Sequence, residues 1–99
     1  MSQKNLARDT LKRIHLIIKG FVHGVGFRYN ARRKARMAHL TGYSRNLAEG
    51  TVEIEAQGTP EALERFLQWT HHGPPDANVE SVVLEEMKVI ESESDFVIR

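Results

Sequence analysis

Residues 51–57, TVEIEAQ, alternate without a break: Val52, Ile54 and Ala56 are apolar, while Glu53, Glu55 and Gln57 are polar. A period of two is that of a β-strand, so this stretch predicts a strand with one buried face and one wet face. The residues that follow start a helix. Thr59 is a natural N-cap, Pro60 suits the first helical position, and Glu61 places negative charge in the first turn. Leu63, Phe66, Leu67 and Thr70 then form an inward stripe, and Gly73 with Pro74 and Pro75 stops the helix.

The same reasoning covers the rest. Arg13–Lys19, RIHLIIK, alternates with Ile14, Leu16 and Ile18 on one face, and Ile17 on the other marks it as more buried than an edge strand. Gly20 to Gly26 reads as a loop, because three glycines in seven residues suit positive φ and close backbone approach. A helix is expected from Phe27 to His39. Phe27, Ala31, Ala35 and Ala38 share one stripe, and its small alanines let the helix lie close to a sheet. Tyr43–Leu47 and Thr51–Gln57 form a hairpin around Ala48, Glu49 and Gly50. A strand over Val79–Val89 follows, and Phe96–Arg99 adds a short edge strand. Met37, Phe66 and Trp69 are assigned to the core or its rim. The order βαββαβ, with right-handed crossovers, gives a ferredoxin-like α+β sandwich: an antiparallel sheet with two helices on one face. Residues 1–11 are polar and aperiodic and predict a flexible tail; residues 12–99 form one domain, and 99 residues support one core.

The absence of cysteine excludes disulfides, thiolate metal sites and cysteine nucleophiles. The longest apolar run, around Leu16 to Ile18, is too short to span a bilayer, and the first residues contain no secretory signal, so a cytoplasmic protein without membrane partners is expected. The five histidines form no metal-ligand pattern; His71 and His72 are adjacent at a helix C-terminus, and His15 and His39 read as ordinary, partly exposed side chains. Net charge is +1, but it is unevenly placed. Residues 1–49 hold eleven Lys or Arg against two acids, and residues 50–99 hold three against eleven. The first half therefore suits an anion, although the opposite charges can equally face one another or solvent.

Gly20, Gly24 and Gly26 stand between a strand end and a helix N-terminus, where amides can converge and the helix dipole is positive. Arg28 can add a two-pronged contact to phosphate oxygens. The spacing matches neither the dinucleotide nor the nucleoside-triphosphate loop. Asn46, near the end of its strand, can orient a water but is neutral and no strong base. His23 is placed to touch a bound anion. Arg32, Arg33, Lys34 and Arg36 read as a solvated helix face that can also steer anions to the loop. From these residues alone, a glycine-rich turn with a surface arginine and a turn-flanking asparagine stays an open alternative.

Read together, GFVHGVGFR (Gly20–Arg28) and GYSRNLAEGTVEIEAQG (Gly42–Gly58) resemble the two signature motifs of the acylphosphatase family. The resemblance covers residues 12–99. It departs at His23, where the family usually has Gln, and at Ser44, where Ala, Val or Cys is typical; neither position carries the main catalytic roles. It implies hydrolysis of the carboxyl–phosphate bond of a small acyl phosphate, without metal or cofactor. Arg28 would bind the phosphate, Asn46 would orient the attacking water, and the loop Phe21, Val22, His23, Gly24, Val25, Gly26 and Phe27 would complete the cradle. The chemistry agrees. The leaving group is a carboxylate of low pKa and needs no acid, and phosphoryl transfer through a loose transition state needs mainly positioning and charge stabilisation.

Three other readings compete with this one. A non-catalytic anion-binding or regulatory module on the same fold would keep Arg28 but not require Asn46. Nucleic-acid binding on this fold stacks bases on sheet aromatics, where this chain has Glu53 and Glu55. The acylphosphatase-like start of larger carbamoyl-transferring maturation proteins is the third, against which a 99-residue chain with its own Met1 favours a stand-alone, monomeric enzyme.

Overall fold

The structure, a computed structural model, describes residues 11–99. The expected tail therefore lies outside the described residues, Leu11 excepted. The elements are β1 (Lys12–Phe21), α1 (Phe27–Met37), β2 (Thr41–Asn46), a 3-10 turn (Ala48–Gly50), β3 (Val52–Gly58), α2 (Pro60–Thr70), β4 (Asn78–Met87) and β5 (Phe96–Ile98). The sheet order is β4-β1-β3-β2-β5. The first four strands pair antiparallel, as the ferredoxin-like reading requires, and β5 adds a parallel edge beside β2.

Alternation decides what is buried. Ile14, Leu16 and Ile18 of β1 join Val52, Ile54 and Ala56 of β3 under the helices, against Phe27, Ala31 and Ala35 of α1 and Ala62, Leu63 and Phe66 of α2. Trp69 bridges the helices, its ring centroid 5.2 Å from Phe27 and 5.9 Å from Phe66. The Thr59 hydroxyl caps α2 by accepting the Ala62 N–H at 3.2 Å, a contact of about 1 kcal/mol at a helix N-terminus.

Several boundaries differ from expectation, each for a local reason. β1 runs on to Phe21 because Gly20 shifts its register against β4 instead of ending the strand. α1 stops at Met37, short of His39. The Leu40 N–H donates to the Ala35 carbonyl and the His39 N–H to that of Arg36, a Schellman closure that places His39 at φ 60 where glycine is preferred. Met37 is 71% exposed rather than core or rim. β4 covers Asn78–Met87 instead of Val79–Val89. Leu67 is only half-buried on the stripe it shares with Leu63, Phe66 and Thr70.

The largest departure is the face expected to be wet. Glu53 and Gln57 are buried and Glu55 is half-buried; residues 88–95 fold back near Gln57 and Arg13, while His15 and Arg45 meet Glu53. The Gln57 amide exchanges two hydrogen bonds with the Ile90 backbone, at 2.9 and 2.8 Å. Arg13, 2% exposed, donates to Glu55 at 2.7 Å and in two-pronged fashion to Glu93 at 2.7 and 3.2 Å. Burial opposes the Arg13 charge, but its bonds to Glu93 and Glu55 outweigh this and raise its pKa. Burial likewise pushes the Glu93 carboxyl up, and Arg13 brings it below the ordinary value. Glu53 accepts from His15 at 2.8 Å and from Arg45 at 2.5 Å. These bonds overcome its burial and hold its pKa down.

Candidate active site

The site lies where β1 hands over to α1. Gly24 and Gly26 take φ of 71° and 77°, a left-handed conformation that glycine adopts without steric cost. They turn the chain so that Gly26 caps α1. The Asn30 backbone N–H and its side-chain amide both donate to the Gly26 carbonyl, at 3.0 and 2.9 Å. That is the first bond of the helix, so the N–H groups of Phe27, Arg28 and Tyr29 have no intrahelical acceptor. No acidic residue occupies the first turn, and Lys34 and Arg36 occupy the last. The positive end of the dipole is thus left without a nearby carboxylate, which favours an anion there.

A cavity of about 180 Å³ opens at this helix end, lined by Val22, Gly24, Gly26, Phe27, Arg28, Tyr29, Asn46 and Ile98. Arg28 on α1 and Asn46 at the end of β2 are therefore brought to one cavity from elements distant in sequence. Among the described residues Arg28 has no carboxylate partner, and the Asn46 amide makes no side-chain hydrogen bond to the protein. An arginine fork, free amides and a neutral amide side chain around one small concavity can hold an oxyanion and a water.

The other expected loop residues stand apart from the cavity. Phe21 is 64% exposed at the end of β1, and Val25 packs against the core. His23 is not among the cavity's lining residues, and its Nε2 lies 2.7 Å from the Thr51 carbonyl oxygen. Tyr29 and Ile98 were not foreseen. Tyr29 lies one residue past the motif, and Ile98 arrives through the parallel pairing of β5 with β2, in which Ser44 faces Ile98. The basic helix face is partly neutralised: Arg36 grips Asp95 with two bonds of 3.1 and 2.9 Å, and these hold the Asp95 carboxyl below its ordinary value.

The family model for acylphosphatase matches residues 14–98. The chain belongs to the acylphosphatase family. It is 43% identical over 75 residues to the acylphosphatase of Bordetella parapertussis, covering 76% of this chain and 80% of that one. The acylphosphatase structure from Coxiella burnetii superposes with a TM-score of 0.88 at 38% identity, covering all of both chains. HypF of T. kodakarensis also contains this fold: the match has a TM-score of 0.78 at 29% identity and covers 89% of this chain but 12% of HypF. Family membership makes the chain a hydrolase of small acyl phosphates.

Proposed function

We propose that the chain cleaves acyl phosphates by direct attack of water, with Arg28 and the loop amides holding the phosphoryl group and Asn46 holding the water. The observation that carries this reading is the meeting of Arg28 and Asn46 at one cavity at the N-terminus of α1. Arg28 and the N–H groups of Phe27, Arg28 and Tyr29 stabilise the charge on the equatorial phosphoryl oxygens. The amide of Asn46 orients the water toward phosphorus. The P–O bond to the carboxylate breaks as the new P–O bond forms, and the carboxylate leaves as a stable anion with no proton required. The proton of the attacking water passes to a phosphoryl oxygen of the substrate, since a neutral amide is no base for it.

Hydrolysis of acetyl phosphate, measured beside p-nitrophenyl phosphate with and without EDTA, tests the reaction class. Cleavage of the first alone, unaffected by chelator, is expected; cleavage of neither by folded protein would overturn the reading. The division of roles is tested by Asn46→Ala, which should lower kcat about 10²-fold or more while inorganic phosphate inhibits as well as before. Arg28→Lys should damage both, because an ammonium cannot reproduce the planar fork. Equal loss of phosphate binding in the two variants would sink this division.

A further inference from the structure

We propose that His23 is a positioning residue that ties the phosphate-binding loop to the turn beside Asn46; this rests on the roles assigned above to Arg28 and Asn46. A carbonyl oxygen carries no proton, so in the 2.7 Å contact His23 Nε2–H donates and the Thr51 oxygen accepts. The same oxygen accepts the Leu47 N–H at 2.8 Å. Leu47 directly follows Asn46, and His23 lies between the β1 end and Gly24. One backbone oxygen thus joins the segment that supplies the phosphate amides to the residue next to the one that holds water. The turn needs such an anchor. It contains Glu49 at φ 64, a conformation that costs an ordinary residue about 1–2 kcal/mol, so its local preferences do not by themselves fix where Asn46 points.

The chemistry of the ring also sets what His23 does not do. Nε2 is engaged on Thr51 and the ring does not line the cavity, and the imidazolium form keeps the same Nε2–H. The bridge therefore holds in either protonation state, and its effect on turnover is one of position rather than of proton transfer.

His23→Ala removes the donor, and His23→Gln restores an amide N–H at similar reach. With acetyl phosphate as substrate, His23→Ala should lower kcat roughly 10- to 100-fold, the scale expected when reacting groups are misplaced by about an ångström. Inhibition by inorganic phosphate should change by less than about threefold, and His23→Gln should recover most of kcat. Independently of turnover, the Leu47 backbone N–H and the Asn46 side-chain NH₂ should shift in ¹⁵N NMR spectra of His23→Ala and return in His23→Gln. Phosphate binding that falls in parallel with kcat, a glutamine variant that recovers nothing, or an unmoved Leu47 resonance would each overturn the proposal. Failure of the unmodified protein to cleave acetyl phosphate would instead sink the catalytic roles, while the NMR comparison still decides whether the bridge exists.

Discussion

Arg13 and Arg28 carry the same guanidinium into opposite circumstances. Arg13 lies on the open side of the sheet under residues 88–95, almost wholly enclosed, with Glu55, Glu93 and Gln57 accepting from it. Arg28 opens the first turn of α1 beside a cavity, with no carboxylate partner among the described residues. The first arginine has its charge satisfied within the fold and holds a segment down. The second has its charge held in reserve by a glycine-shaped helix end that contains no acid. The difference teaches that a cation is left available for a ligand by what its surroundings withhold: Glu55 and Glu93 are engaged by Arg13, and no carboxylate among the described residues engages Arg28.

Breaking the enclosed side should give the largest effect. Arg13→Ala leaves two half-buried carboxylates without their buried cation and should destabilise the fold by about 3–5 kcal/mol in urea unfolding, with activity per folded molecule retained. Arg28→Ala should do the reverse. It should cost about 10²–10³ in kcat/KM for acetyl phosphate while changing stability by under about 0.5 kcal/mol. Loss of stability in Arg28→Ala comparable with that in Arg13→Ala would erase the contrast.

The acid limb of the stability curve sharpens the comparison further. Glu53 and Glu93 have pKa values lowered in the folded state from an ordinary 4.5. The unfolded chain therefore binds protons first as pH falls, so this stabilisation is complete above about 4.5 and is lost as pH drops through the folded values. Urea midpoints should fall steeply below pH 4.5, and Glu53→Gln with Glu93→Gln should flatten that limb. Tyr43 has the opposite sign. Its burial and the charges of Glu55 and Glu53 raise its pKa from 10 to about 12, so stability should fall as pH rises above 10. Of the two tyrosines, one should ionise late in an ultraviolet titration.

The smallest effects probe single local conflicts. The Ser44 hydroxyl is buried with no hydrogen-bond partner among the described residues, so Ser44→Ala should stabilise by about 1 kcal/mol. His39→Gly should add about 0.5–1 kcal/mol by relieving the left-handed residue after α1. Thermal midpoints decide both, and a fall in either would remove the stated cause.

Much of the fold was legible because local chemistry and tertiary role agree. Thr59-Pro60 begins α2, the alanines of α1 lie flat on the sheet, and Ile14, Leu16 and Ile18 alternate into the core. Arg28 and Asn46 were legible through the two motifs, and the structure brings both to one cavity. The misses share a physical origin. Glu53, Glu55 and Gln57 look solvent-facing to any rule based on alternation, because their partners come from other strands and from Ile90 far along the chain: His15 and Arg45 on Glu53, Arg13 and Tyr43 on Glu55, Ile90 on Gln57. Ile98 reaches the cavity only through a parallel pairing that no local pattern announces. His23 was expected to touch an anion because it sits in the glycine loop; its Nε2 instead meets the Thr51 carbonyl. The left-handed conformation of His39 was not legible because a helix stop made by a non-glycine residue leaves no signature in composition.

The placement of β5 also has a practical use. Ile98 lines the cavity, and the Arg99 N–H donates to the Ser44 carbonyl at 2.8 Å, two residues before Asn46. The chain has no cysteine, so Ile98→Cys would introduce a single thiol in the lining of the proposed phosphate cavity. An environment-sensitive dye attached there would report phosphate entering and leaving in real time, turning the last strand into the reporter arm of a sensor.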